Sequence, residues 1–129
     1  SAAERIRAAR EAIDRTGEDV LLVGRSEGFL IGRTDLGATI ERLVAYADAG
    51  ADCLYAPGIR EVSAIAEVVR AVAPKPVNGL LLGPEMSVAE LASVGVRRVS
   101  VGGTRAALAW KGFDQAARML VEEGRLPAR

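Results

Sequence analysis

Apolar residues along this chain alternate between two spacings. Ala2, Ile6, Ala9 and Ile13 fall three or four apart, so residues 2–15 read as an amphipathic helix. Arg5, Arg7, Arg10, Glu11 and Asp14 lie mostly off that face. After the turn Thr16-Gly17-Glu18 comes Val20-Leu21-Leu22-Val23, a short continuous apolar run. A run without polar alternation suits a strand covered on both faces, as in a parallel sheet.

The same alternation recurs. Ile40, Leu43, Val44 and Ala47 mark a second helix that ends at Gly50, and Cys53–Ala56 is the next strand. Ile65, Val68, Val69 and Val72 mark a third helix, stopped by Pro74 and Pro76. Val77 to Leu82 forms the third strand. Ser87 with Glu90 makes a capping box for a short helix through Leu91 to Val94, closed by Gly95. Val96 to Val101 holds the fourth strand. Leu108, Phe113, Ala116, Leu120 and Val121 line a last helix that stops at Gly124. Strands alternating with helices at this spacing predict right-handed βαβ crossovers and one parallel sheet. Residues 1–129 read as one segment without linker or low-complexity tract. Four such units form either a small open sheet or half of a closed barrel, and periodicity does not decide between them.

Composition narrows the chemistry. The 129 residues suit one domain, and half of them are hydrophobic, enough to bury a core. Lysine plus arginine balances aspartate plus glutamate at 17 each, so charge gives no case for nucleic acid or an anionic membrane as partner. Cys53 is the only cysteine, which rules out an intramolecular disulfide and fits a reducing, cytoplasmic setting. With no histidine, Ser–His or Cys–His machinery and histidine-ligated metals are excluded within the chain. No apolar run approaches the ~18 residues of a membrane span. The N-terminus opens inside a helix pattern and not a signal peptide, as a chain cut from something longer would; a short helix beginning a small domain reads the same.

In parallel α/β folds ligands bind beyond the carboxyl ends of the strands. Arg25 follows the first strand, where a guanidinium can grip a carboxylate or phosphoryl group through two parallel hydrogen bonds. Glu27 is placed to hold that guanidinium; the alternative is a surface ion pair at a loop start. Asn78 interrupts an apolar strand, and its amide either satisfies a neighbouring loop or reaches a ligand. Ser100 poses the same question in the last strand. Gly102 and Gly103, between a strand and a helix, either expose N–H groups to a phosphate or other anion or simply make a tight turn. Cys53 reads as a small core residue, Trp110 and Phe113 as packing or a subunit contact, and Arg97-Arg98 as a solvated lead-in to the strand.

Several stretches in order resemble one family. Glu41-Arg42-Leu43-Val44-Ala45-Tyr46 leads through Ala49-Gly50-Ala51-Asp52 into Leu54-Tyr55-Ala56-Pro57-Gly58, followed by Pro76-Val77-Asn78 and Arg97-Arg98-Val99-Ser100-Val101-Gly102-Gly103. Together they resemble the isocitrate lyase/phosphoenolpyruvate mutase superfamily, in particular its small phosphonomutase-like members. The resemblance implies strands five to eight of a (β/α)8 TIM-type barrel, a homo-oligomer, that binds Mg2+ and a small 2-oxo or hydroxy acid. It implies cleavage or formation of C–C or C–P bonds through an enolate-like intermediate.

Gly24-Arg25-Ser26-Glu27 matches the family's Ala-Arg-Thr-Asp/Glu stretch, whose arginine binds the substrate's carboxylate or phosphonate, and this implies the same role for Arg25. Gly32-Arg33-Thr34-Asp35 is closer to that motif by letters, but Arg25 is the arginine that follows Val20–Val23. Asn78 matches a strand-seven asparagine that faces the substrate. Two departures stand out. Ala56-Pro57-Gly58 lacks the acid of the family's Phe-Pro-Glu-like segment. The metal-holding acids and the mobile Lys-Lys-Cys-Gly-His-like loop belong to the family's first half, and Asp19, Asp52 and Glu85 do not replace them by spacing. The expectation is an enzyme portion that lacks its metal ligands; a non-catalytic half-barrel and a small phosphate-binding α/β module are the alternatives.

Overall fold

The computed structural model describes residues 1–128. Helix α1 spans Ala2–Thr16. It is opened by a Ser1/Glu4 capping box and closed at Gly17 in a left-handed conformation. Strand β1, Val23–Arg25, is followed by a single 3-10 turn at Gly28–Ile31 and by α2, Leu36–Asp48. Asp35 caps α2 by accepting from the Ala38 N–H at 2.9 Å. Then come β2 at Cys53–Tyr55, α3 at Val62–Val72, β3 at Val77–Leu80, α4 at Val88–Ser93, β4 at Arg98–Ser100 and α5 at Thr104–Glu123. All neighbouring strands pair in parallel, in the order β1-β2-β3-β4. These are four βα units of the kind that make half of a TIM-type barrel.

The two sheet faces differ in chemistry. Gly24, Leu54 and Val77 share one face through their register. A Cβ on Gly24 would come within 3.0 Å of Tyr46 Cβ and 3.1 Å of Ala51 Cβ. A Cβ on Gly79 would meet Leu91 Cδ1 at 2.9 Å. The absent side chains let the helices approach the sheet closely, and the core of Leu43, Tyr46, Leu54, Ile65, Val68, Val77 and Leu91 forms there. The opposite face carries Arg25, Tyr55, Asn78 and Arg98 in one register row, with Cys53 and Ser100 one step away along their strands. In a closed barrel this polar face lines the interior.

Three details depart from the pattern-based expectation. The first strand does not occupy Val20–Val23. Leu22 is the first residue of that run to meet β2, its carbonyl accepting from Asp52 N at 2.8 Å, and Val20 and Leu21 stay exposed. Arg25 is therefore the last residue of the strand and not its successor. Arg98 is the first residue of β4 and not a lead-in to it, because its register partner is Asn78. In the last helix, Leu108, Trp110, Phe113, Leu120 and Val121 are all exposed, and no residue of α5 is buried. Its apolar stripe has nothing to pack on within the described residues.

At the N-terminal end of the strands, Arg10 of α1 reaches Asp52 at 2.8 Å and Asp14 at 2.6 Å. The same Asp52 oxygen accepts the Leu22 N–H at 2.7 Å. The stem of Arg10 lies over Gly50, whose φ of 102° is left-handed. This staple holds α1 against the entry to β1 and β2.

Candidate functional site

The carboxyl ends of β1 and β2 bring Arg25, Glu27 and Tyr55 together, and Asn78, the second residue of β3, stands beside Tyr55 in register. Arg25 is braced from two sides. Its Nε donates to the Glu27 carboxylate, and its guanidinium stacks over the Tyr55 ring, 5.0 Å from the centroid. Both ionic side chains are about half exposed, so the pair adds little stability by itself. Its effect is orientation. With Nε taken by Glu27, the terminal guanidinium nitrogens have no hydrogen-bond or ion-pair partner among the described residues, the arrangement that suits a planar oxyanion.

Tyr55 has no place among the sequence-derived site residues. An aromatic in a run of Cys, Leu, Tyr and Ala reads as core, and only the β1–β2 register shows that it stands beside Arg25. It is buried on the polar face.

Asn78 is 3% exposed. Its Nδ2 donates to Ser100 Oγ at 2.9 Å, joining β3 to β4 on the interior face. Cys53 is buried beside this pair, and burial pushes its thiol above 9.0 despite the opposing charge of Arg98. Arg98 is exposed and has no carboxylate within ion-pair distance among the described residues. Gly102 is left-handed at φ 50°, and Gly103 is the N-cap of α5 without a side-chain hydrogen bond. These two glycines lie at the same end of the sheet as Arg25 but are separated from it by two strands. Arg33 sits on the loop entering α2, where its N–H donates to the Gly28 carbonyl at 2.9 Å. It lines a groove with Glu27, Asp35, Thr39 and Arg42, beside the carboxyl end of β1 but off the register row that carries Arg25, Tyr55 and Asn78.

The family model for phosphoenolpyruvate phosphomutase matches residues 1–121. The chain belongs to the phosphoenolpyruvate phosphomutase family. A Burkholderia cenocepacia protein of known structure, described as a candidate lyase/mutase, is 48% identical with a TM-score of 0.92, over 97% of this chain and 45% of that one. The chain is also similar to 2,3-dimethylmalate lyase, a PEP mutase/isocitrate lyase superfamily member, at 25% identity and a TM-score of 0.82. That match covers 98% of this chain and 45% of the lyase. Similarity to oxaloacetate acetylhydrolase bound to oxalate is 26% with a TM-score of 0.86, over 99% of this chain and 45% of the hydrolase. The chain likewise spans 45% of the length of the curated relatives it matches. The phosphomutase fold is thus present here as a half-barrel.

Mg2+ is the metal the resemblance implies, and these residues do not fit it. Among the described residues no group of three or more Asp, Glu or Cys side chains could hold a metal ion. Asp52 is engaged by Arg10 and Leu22, and Glu85 lies 3.9 Å from Arg60. No described helix is long and apolar enough to cross a membrane.

Proposed function

We propose that this chain supplies strands five to eight of a Mg2+-dependent lyase or mutase barrel. Its substrates are small 2-oxo or hydroxy carboxylic acids, and its reaction makes or breaks a C–C or C–P bond through an enolate-like intermediate. The observation that carries this reading is Arg25 at the end of β1, aimed by Glu27 and Tyr55 and in register, through Tyr55, with Asn78. A fixed guanidinium holds a carboxylate or phosphonate in one orientation, which keeps the neighbouring bond where the reaction needs it. The acids that hold Mg2+ come from chain outside these residues. A cytoplasmic setting fits the unpaired, buried Cys53.

The test is substitution in the intact barrel. Arg25→Ala raises the substrate constant far more than Arg33→Ala, because only Arg25 stands on the interior face. Equal effects refute the assignment. A barrel that binds inorganic phosphate through Gly102 and Gly103, and no carboxylic acid through Arg25, supports the phosphate-binding alternative instead.

The same reading includes a homo-oligomer. Trp110 and Phe113 pack edge to face at 5.6 Å on α5, yet each remains about two-thirds exposed, with Leu108, Leu120 and Val121 on the same helix. So much apolar surface on one helix calls for a cover, and a second copy supplies it. Sedimentation shows an oligomer that Trp110→Glu with Phe113→Glu dissociates. A monomeric parent protein contradicts this.

A further inference from the structure

Ser26 stands next to Arg25 in the chain but turns the other way. Its N–H still donates to the Tyr55 carbonyl at 2.9 Å, so the chain remains extended past the end of β1. Side chains alternate along such a chain, and Ser26 therefore shares the helix-covered face with Gly24. Ser26 is 4% exposed. The side-chain hydrogen bonds around it run from Arg25 to Glu27, from the Ala38 N–H to Asp35, and from Thr39 to the Asp35 carbonyl. The Ser26 hydroxyl takes part in none of them, and a hydroxyl buried to that degree calls for a partner.

Ser26 borders the groove of about 240 Å3 that lies between the 3-10 turn and the start of α2. A Cβ on Gly28 would stand 3.0 Å from the Arg33 carbonyl oxygen, so the absence of a side chain lets the turn fold over this place. Arg33 and Arg42 stand on the walls, and neither has a carboxylate within ion-pair distance among the described residues. The two acids of the groove are already engaged, Glu27 by Arg25 and Asp35 by the first turn of α2. Counting Arg25 with Glu27, three guanidiniums stand against two carboxylates, and the positive end of α2 adds to the excess. Ile31 gives the groove an apolar edge and is 64% exposed.

We propose that this groove binds the phosphoryl end of a small phosphomonoester. Its donors come from three separate elements: Ser26 from the end of β1, Arg33 from the loop and Arg42 from α2. A tetrahedral phosphoryl group offers oxygens in several directions and can take all three, whereas a planar carboxylate is filled by one guanidinium edge. The carbon side of the ester lies against Ile31. The site is separate from the one around Arg25, which stands on the opposite face of the sheet, and neither depends on the other.

The probe is methyl phosphate, titrated into the 15N-labelled intact barrel while the amide resonances of Ala38 and Thr39 report on the groove. Arg33→Ala and Arg42→Ala, both at exposed positions, each weaken binding about tenfold or more, and Ser26→Ala weakens it severalfold. Arg70→Ala removes an exposed arginine of α3 and leaves the constant unchanged. The double variant Arg25→Ala with Glu27→Gln also leaves it unchanged, because it removes the strand-end guanidinium and its carboxylate together. Acetate binds about tenfold weaker than methyl phosphate. Several results would overturn the proposal. They are no response at about 10 mM methyl phosphate, a constant unmoved by Arg33→Ala or Arg42→Ala, and an equal loss in Arg70→Ala, which would mean diffuse attraction. Loss of binding in the double variant would put the probe at Arg25 and overturn it too, as would binding of inorganic phosphate but not of its methyl ester.

Discussion

Asp52→Ala removes the joint on which the half-barrel's lower end depends. One carboxylate oxygen accepts the Leu22 N–H at 2.7 Å and the Arg10 guanidinium at 2.8 Å. Both side chains of the ion pair are less than one-third exposed, so water replaces these contacts only in part. A hydrogen bond to a charged group contributes about 1.5–3 kcal/mol, and a donor left unmatched in a partly buried place adds to the loss. Arg10 keeps Asp14, an exposed partner that offsets little of this. Its Nε is already buried without a partner. The loss comes to about 3 kcal/mol. Asp52→Asn keeps an acceptor for Leu22 and loses the charge, so it costs about half as much. Urea unfolding followed by far-ultraviolet circular dichroism measures both. Asp52→Ala within about 0.5 kcal/mol of the parent, the range of ordinary surface substitutions, refutes the staple.

Other perturbations test different parts of the structure. Gly24→Ala places a Cβ at 3.0–3.1 Å from Tyr46, Ala51 and Leu54, two of these contacts being to Cβ atoms that cannot rotate away. It destabilises by about 1–3 kcal/mol in urea titration, and a neutral result would mean α2 does not sit so close to β1. The Glu90 carboxyl is held below its ordinary 4.5 by hydrogen bonds from the Ser87 side chain and backbone. A depressed acid stabilises the fold above the unfolded value, so the contribution of this capping box is whole above about pH 4.5 and fades as pH falls through the lower folded value. Glu90→Gln removes that acid-limb dependence, and identical acid limbs would contradict it. Burial raises the Cys53 thiol above 9.0, so its alkylation rate rises at a higher pH than that of a free thiol; a midpoint at or below 9.0 counts against a buried Cys53.

Much of the fold is legible in the apolar spacing. Runs of three-and-four periodicity become α1, α2, α3 and α5, and the Ser87/Glu90 pair caps α4 as its spacing predicts. Strand edges are less legible. Val20 and Leu21 look like strand because they are apolar, but a strand is defined by its partner, and β2 offers pairing only from Asp52 onward. The site divides in the same way. Arg25, Glu27 and Asn78 stand out as polar residues at strand ends or within apolar runs. Tyr55 and Arg98 acquire meaning only from register, a relation between distant segments that no local pattern contains. The exposure of α5 also has a non-local cause, because an amphipathic stripe shows that a helix face will be covered but not by what.

Complementation tests the central claim most directly. The isolated 129-residue chain and the preceding half of its barrel are assayed for Mg2+-dependent lyase activity, separately and then mixed. The account predicts no turnover by this chain alone, and turnover by the mixture that Arg25→Ala greatly reduces. Turnover by the isolated chain, or a reassembled barrel indifferent to Arg25, would contradict it.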